Sequence, residues 1–166
     1  MASGNLLAQF FPCDNEPPAS AYATLDTRNA RPVLDFDDAA ATEAAVFTFT
    51  LPPNYAGGGL TIYLHWMATT ATSGNVMWQT SFERSSDGSL DTDADGFATA
   101  VTWSAQACSG TSGIIVIDSQ AHTDGAQIDS AAAGDTVRLK VERLGSNGSD
   151  TMTGDAELVA VRIVET

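Results

Sequence analysis

The chain has 166 residues, with 7 Lys and Arg against 21 Asp and Glu, for a formal charge of −14. Nucleic acids and anionic membrane surfaces are held by neutralising phosphates with Lys and Arg, so this balance argues against both as partners. A chain of this length buries roughly 70% of the surface its unfolded state exposes, enough for one core without metal or disulfide help.

The hydrophobic fraction of 43% fits a globular domain and not a disordered acidic tail. Asp outnumbers Glu 15 to 6, and Thr and Gly occur 19 and 14 times. Asp and Gly serve turns, and Thr suits a pleated, half-buried surface, so the composition leans to β structure. The 26 alanines cluster between strand-like runs, as at 39–41 and 131–133, and form no long helical pattern. Cys13 and Cys108 lie far apart without metal-type spacing. They read as free thiols of a reducing compartment. The N-terminus lacks the basic region of a signal peptide, and no run approaches the ~20 apolar residues of a membrane span. A chain made in the cytoplasm is expected.

Residues 1–22 read as an extended N-terminal arm: Leu6, Leu7, Phe10 and Phe11 form an apolar patch, and Pro12, Pro17 and Pro18 follow. Such a patch gains by being covered, so docking on a neighbouring subunit is expected. Residues 23–166 read as one β-sandwich domain.

In chain order, short extended runs fall at 23–28 and 33–37. Residues 44–51 alternate, with Phe47, Phe49 and Leu51 on one face. Gly57, Gly58 and Gly59 then turn the chain; no Lys or helix follows as in a phosphate loop. Residues 60–67 set Ile62, Leu64 and Trp66 inward against Thr61, Tyr63 and His65. Residues 76–84 set Val76, Trp78 and Phe82 inward. An acidic loop spans 85–96, and 97–107 reads as one strand with Val101 and Trp103 on a face. Residues 114–117 are continuously apolar. Residues 135–144 alternate most clearly, with Val137, Leu139 and Val141 in and Arg138, Lys140 and Glu142 out. Residues 157–165 set Val159, Val161 and Ile163 on one face.

About eight to nine strands with turns between them predict an all-β fold, an antiparallel sandwich of jelly-roll type.

No constellation specifies catalysis. Asp91, Asp93, Asp95 and Gly96 reproduce the opening of a calcium loop, in which alternate carboxylates converge on a hard cation. Thr102 stands where the bidentate Glu would be, and a strand follows instead of a helix, so a solvated loop is the main expectation and calcium the alternative. His65 and His122 have no nucleophile elbow near them. Trp66, Trp78 and Trp103 share the apolar phase of their strands and read as core, not as a sugar platform. No catalytic residue, cofactor or metal ligand is expected.

Three stretches carry a resemblance: Thr24 to Asp38 (TLDTRNARPVLDFDD), Asn54 to Trp66 (NYAGGGLTIYLHW) and Ser73 to Arg84 (SGNVMWQTSFER). They resemble segments of small jelly-roll decoration, or cement, proteins of tailed bacteriophages. That resemblance implies a structural virion protein without enzymatic activity. It would sit on the capsid surface as a homo-trimer, with the major capsid protein as partner. The alternative is a tail- or fibre-associated module that binds a receptor or carbohydrate.

Overall fold

The computed structural model describes residues 4–166. The first three residues of the expected arm lie outside that range. The strands among the described residues are β1 (Leu6–Phe10), β2 (Thr24–Arg28), β3 (Arg31–Phe36), β4 (Glu43–Thr50), β5 (Leu60–Ala68), β6 (Asn75–Val76), β7 (Trp78–Ser85), β8 (Val101–Thr102), β9 (Gln106–Ala107), β10 (Val116–His122), β11 (Thr136–Arg143) and β12 (Ala156–Glu165).

Their pairing is that of one long hairpin rolled up. β3 pairs with β12, β4 with β11, β5 with β10, and β7 with β8, each antiparallel. Rolling then brings β12 beside β5 and β11 beside β7. Two main sheets result, ordered β10-β5-β12-β3-β2, with β1 also on β12, and β4-β11-β7-β8; β6 and β9 pair as a small third one. This is jelly-roll connectivity, as the alternating pattern and crossing loops predict.

The core lies between the sheets. Val137, Leu139 and Val141 of β11 are fully buried, as are Ile62, Leu64 and Trp66 of β5. Trp66 and Phe36 meet Trp78 edge-on at 5.9 and 5.2 Å. Offset and edge-on rings add to area burial through their quadrupoles. All three tryptophans are at most 2% exposed, so none is a platform.

Four expectations are corrected. Described residues of the expected arm belong to the sandwich. β1 pairs with β12, Phe10 stacks on Phe47 at 5.2 Å, and Glu16 N–H donates to Val46 O of β4. Of the apolar patch, Phe10 is covered by the chain's own sheets and Leu7 in part, while Leu6 and Phe11 stay exposed. The single strand expected over 97–107 is broken into β8 and β9, because β8 pairs with β7 and β9 with β6; Phe97 precedes both and lies over Arg138 and Lys140, 5.2 and 4.9 Å from its ring centre. The apolar run 114–117 is not an interior strand. β10 is a sheet edge whose inward positions are Val116, Asp118, Gln120 and His122, and Ile114, Ile115 and Ile117 are exposed. Finally, Val159 does not share a face with Val161 and Ile163. A bulge between Leu158 and Ala160 shifts the register by one and turns it outward.

Gly74 joins the β5 end of the sandwich to the 151–152 segment. Its φ is +103°, and a Cβ there would stand 2.7 Å from Met152 Cα and from Thr151 O. Gly74→Ala is expected to cost about 2 kcal/mol or more in thermal unfolding, since backbone has to move. Gly88→Ala, with open space around it, should cost at most about 1 kcal/mol.

Candidate functional site

The site is built on the outer face of the six-stranded sheet. Residues directly opposed in antiparallel pairs share a face. On that face Met67 opposes Glu157, His65 opposes Ala160 and Ile117, and Tyr63 opposes Arg162 and Ser119. Gln9 of β1 lies on the far side of Arg162. The result is a pleated floor running across β10, β5, β12 and β1.

Tyr63, His65 and Arg162 form a unit at its centre, each half-buried. The Arg162 guanidinium lies 4.8 Å from the Tyr63 ring centre, and its Nε donates to His65 Nε2 at 3.0 Å. His65 therefore accepts through Nε2 and is neutral. Burial, and then the Arg162 charge, hold it below the usual imidazole range. A stacked, bonded guanidinium loses less freedom when a ligand binds it.

One end of the floor is walled. The β2–β3 turn uses left-handed Asn29 and Ala30, with φ of +49° and +60°. From it Arg28 reaches across β12 to donate to Ala68 O of β5 at 3.0 Å and to Glu157. Gly113 N–H donates to the same Ala68 carbonyl. Between this turn and the 113–115 segment lies a recess of about 370 Å³, lined by Arg28, Arg31, Val33, Met67, Ile115 and Val159. The bulge supplies its Val159 wall, which is the re-aiming role bulges serve. Two positions along β3 from Val33, burial and then the Glu157, Asp155 and Asp26 carboxylates push Asp35 up to about 7.

The other singled-out residues are placed elsewhere. Asp91, Asp93 and Asp95 are exposed, and Asp91 Oδ1 accepts from Asp93 N–H at 3.0 Å, a turn bond. Among the described residues no three His, Cys, Asp or Glu are grouped to share a metal ion. His122 is fully buried against Phe82, with Nε2 3.0 Å from Thr80 Oγ1. It is not brought together with His65. Gly57 and Gly59 adopt φ of +84° and +91° in the expected turn. Cys13 is exposed and Cys108 half-buried, both free.

The sequence placed Tyr63 and His65 outward without marking them as a site. The signal was an aromatic and an imidazole on the solvent phase of a central strand. Arg162, Gln9 and Val159 join them only through strand order and the bulge.

No family model matches the chain, and no curated protein matches it. Solved structures do. The chain is similar to a xylan-binding module CBM15 at 10% identity and TM-score 0.49, covering 98% of each. It is also similar to the CBM22-2 xylan-binding domain of Paenibacillus barcinonensis Xyn10C at 12% identity and TM-score 0.46, covering 92% of each. A third is Caldicellulosiruptor saccharolyticus CBM27-1 in complex with mannohexaose, at 7% identity and TM-score 0.41, covering 94% of this chain and 96% of that one. At these scores the matches say nothing of ligand. The class stated by the chain's own strand pairing is an antiparallel jelly-roll β-sandwich.

Proposed function

We propose that the protein is a non-catalytic carbohydrate-binding module whose platform is the outer face of the six-stranded sheet. The Tyr63–Arg162–His65 unit carries the reading. A sugar ring has an apolar C–H face and a rim of hydroxyls. Its complement is an aromatic side chain bordered by fixed donors and acceptors. Tyr63 supplies the ring, Arg162 the donor fork, and Gln9 and Ser119 flanking hydrogen-bonding groups on the same face. The platform rests on strands, so little is spent in ordering it.

A glycan array followed by affinity electrophoresis tests this. Wild type is expected to be retarded by a polysaccharide, and Tyr63→Ala to bind roughly tenfold more weakly or worse, with an unchanged far-UV spectrum. Retention by no glycan, or equal retention of the variant, overturns the reading.

The decoration-protein reading draws on a different observation. Ile114, Ile115 and Ile117 are 54%, 43% and 53% exposed, Ile117 on the edge strand β10 and the other two in the segment leading into it. An apolar edge suits a symmetric contact between copies or with a capsid subunit. Sedimentation equilibrium decides: a trimer that adds to undecorated capsids supports it, and a monomer that does not add removes it.

A further inference from the structure

Seven Lys and Arg face 21 acids in this chain, so an unpaired cation is conspicuous. Arg28, Arg84, Arg138, Lys140 and Arg143 each have a carboxylate partner. Among the described residues, Arg31 and Arg162 have none. Both stand on the outer face of the six-stranded sheet, Arg31 at the recess and Arg162 on the open floor.

The neighbourhood of Arg162 is free of acids. Its strand neighbours on that face are Tyr63 and Gln9. The flanking rows hold Ala160, His65 and Ile117 on one side and Val164, Thr61 and Ala121 on the other. Acids do occur at the walled end, but Glu157 is taken by Arg28, and Asp35 and Asp26 lie towards β2. Of the five donors of a guanidinium, Arg162 commits only Nε, to His65. The two Nη groups, the fork that matches a carboxylate, are left for another partner.

We propose that the bound glycan is acidic, a chain carrying uronate carboxylates, with one carboxylate paired to the Nη fork of Arg162 and a further one reached by Arg31. This rests on the carbohydrate-binding reading and adds the charge class of the ligand. Met67, at the recess with Arg31, lies four positions along β5 from Tyr63, about 13 Å at the rise of a strand. The ligand therefore spans more than one sugar. An overall charge of −14 repels acidic polymers at long range, so binding is short-ranged and orientation-dependent. A −14 module that still binds a polyanion needs a cation without acid neighbours, and Arg162 is one; Arg31 shares the walled end with Asp26, Asp35 and the paired Glu157 and is the weaker contact.

The test compares polygalacturonate, alginate and polyglucuronate with their carboxyl-reduced forms, and adds a neutral xylan and a sulfated glycan, by titration calorimetry. Expected is binding to at least one polyuronate and at least about tenfold weaker binding to its reduced form. Arg162→Gln and the exposed Arg31→Gln should each weaken polyuronate binding, Arg162→Gln the more, by roughly tenfold. Lys140→Gln, on the opposite sheet, should not change it. Equal binding of native and reduced polymers, or of neutral xylan, overturns the acidic class while leaving the carbohydrate-binding reading intact. Preference for the sulfated glycan over every polyuronate overturns the carboxylate. Binding to no glycan overturns both readings. Circular dichroism and melting curves of each variant separate lost binding from lost fold.

Discussion

Arg143→Met is expected to lower the unfolding free energy by about 3–5 kcal/mol, the cost of stranding a buried charge. Arg143 is fully buried at the end of β11, and its partner Asp150 has a side chain only 2% exposed. Nε and Nη2 donate to the two oxygens of Asp150 at 3.1 and 2.8 Å. Nη1 donates to Phe36 O at 2.9 Å and Gly154 O at 2.8 Å, and Nη2 also to Met152 O at 2.7 Å. All five guanidinium donors are used. The side chain ties β11 of one sheet to β3 of the other and pins the 150–154 segment between them. Methionine fills similar volume but removes the donors of three carbonyls and leaves the Asp150 carboxylate only the Met77 N–H, at 2.9 Å. Lysine keeps the charge and loses the fork, so Arg143→Lys should fall between wild type and Arg143→Met. For a domain of this size, about 2–4 °C per kcal/mol makes the Met variant melt roughly 6–20 °C lower. Urea unfolding monitored by tryptophan fluorescence checks it; a loss under about 1 kcal/mol means the hub does not bear on stability.

The alternation over 135–144 made β11 legible in the sequence, but Arg143 shows what alternation leaves out. The alternation does put Arg143 on the inward phase of Val137, Leu139 and Val141 and Arg138 on the outward one, where it pairs with Glu83. What it leaves out is how an inward guanidinium is satisfied: the 150–154 segment supplies most of the acceptors, from a loop whose path no periodicity encodes. The same holds at the candidate site. Tyr63 and His65 were readable as an outward pair because β5 alternates cleanly. Arg162 was readable as outward, but that it stands beside Tyr63 depends on β12 lying next to β5, a consequence of rolling the hairpin. Val159 misled because a one-residue bulge inverts facing without altering composition. The arm misled for a simpler reason. Prolines and exposed-looking phenylalanines resemble a free tail until a sheet edge is available to pair with them, and β12 offers one to β1.

Stability is expected to weaken on the alkaline side well before ordinary carboxylates and lysines would cause it. Asp35 is raised from 3.8 to about 7, by burial first and then by the carboxylates of Glu157, Asp155 and Asp26. A folded-state value above the unfolded one means the protonated form is favoured by folding. Its contribution is fully present below about 3.8 and is lost as pH rises through about 7. Glu43, Asp118 and Asp155 are raised by burial too and act in the same direction. Asp38, held down by the Gly154 N–H, acts the other way. His122 bounds the acid side. Burial lowers it from 6.5 to about 4, so its contribution is present above about 6.5 and is lost as pH falls towards 4. Being fully buried, His122 accounts for about 3 kcal/mol across that window. Asp35 is half-buried, and screening trims its share to about 1–2 kcal/mol. Urea midpoints measured from pH 4 to pH 9 should fall on both flanks. Asp35→Asn should raise the midpoint at pH 8 and leave it nearly unchanged at pH 4, because only the ionised carboxylate is penalised. His122→Gln should flatten the acid flank between pH 6.5 and 4 and leave the alkaline one alone. A uniform loss for Asp35→Asn at every pH would mean that its carboxyl is a structural acceptor, and that its burial sets no pH limit on the fold.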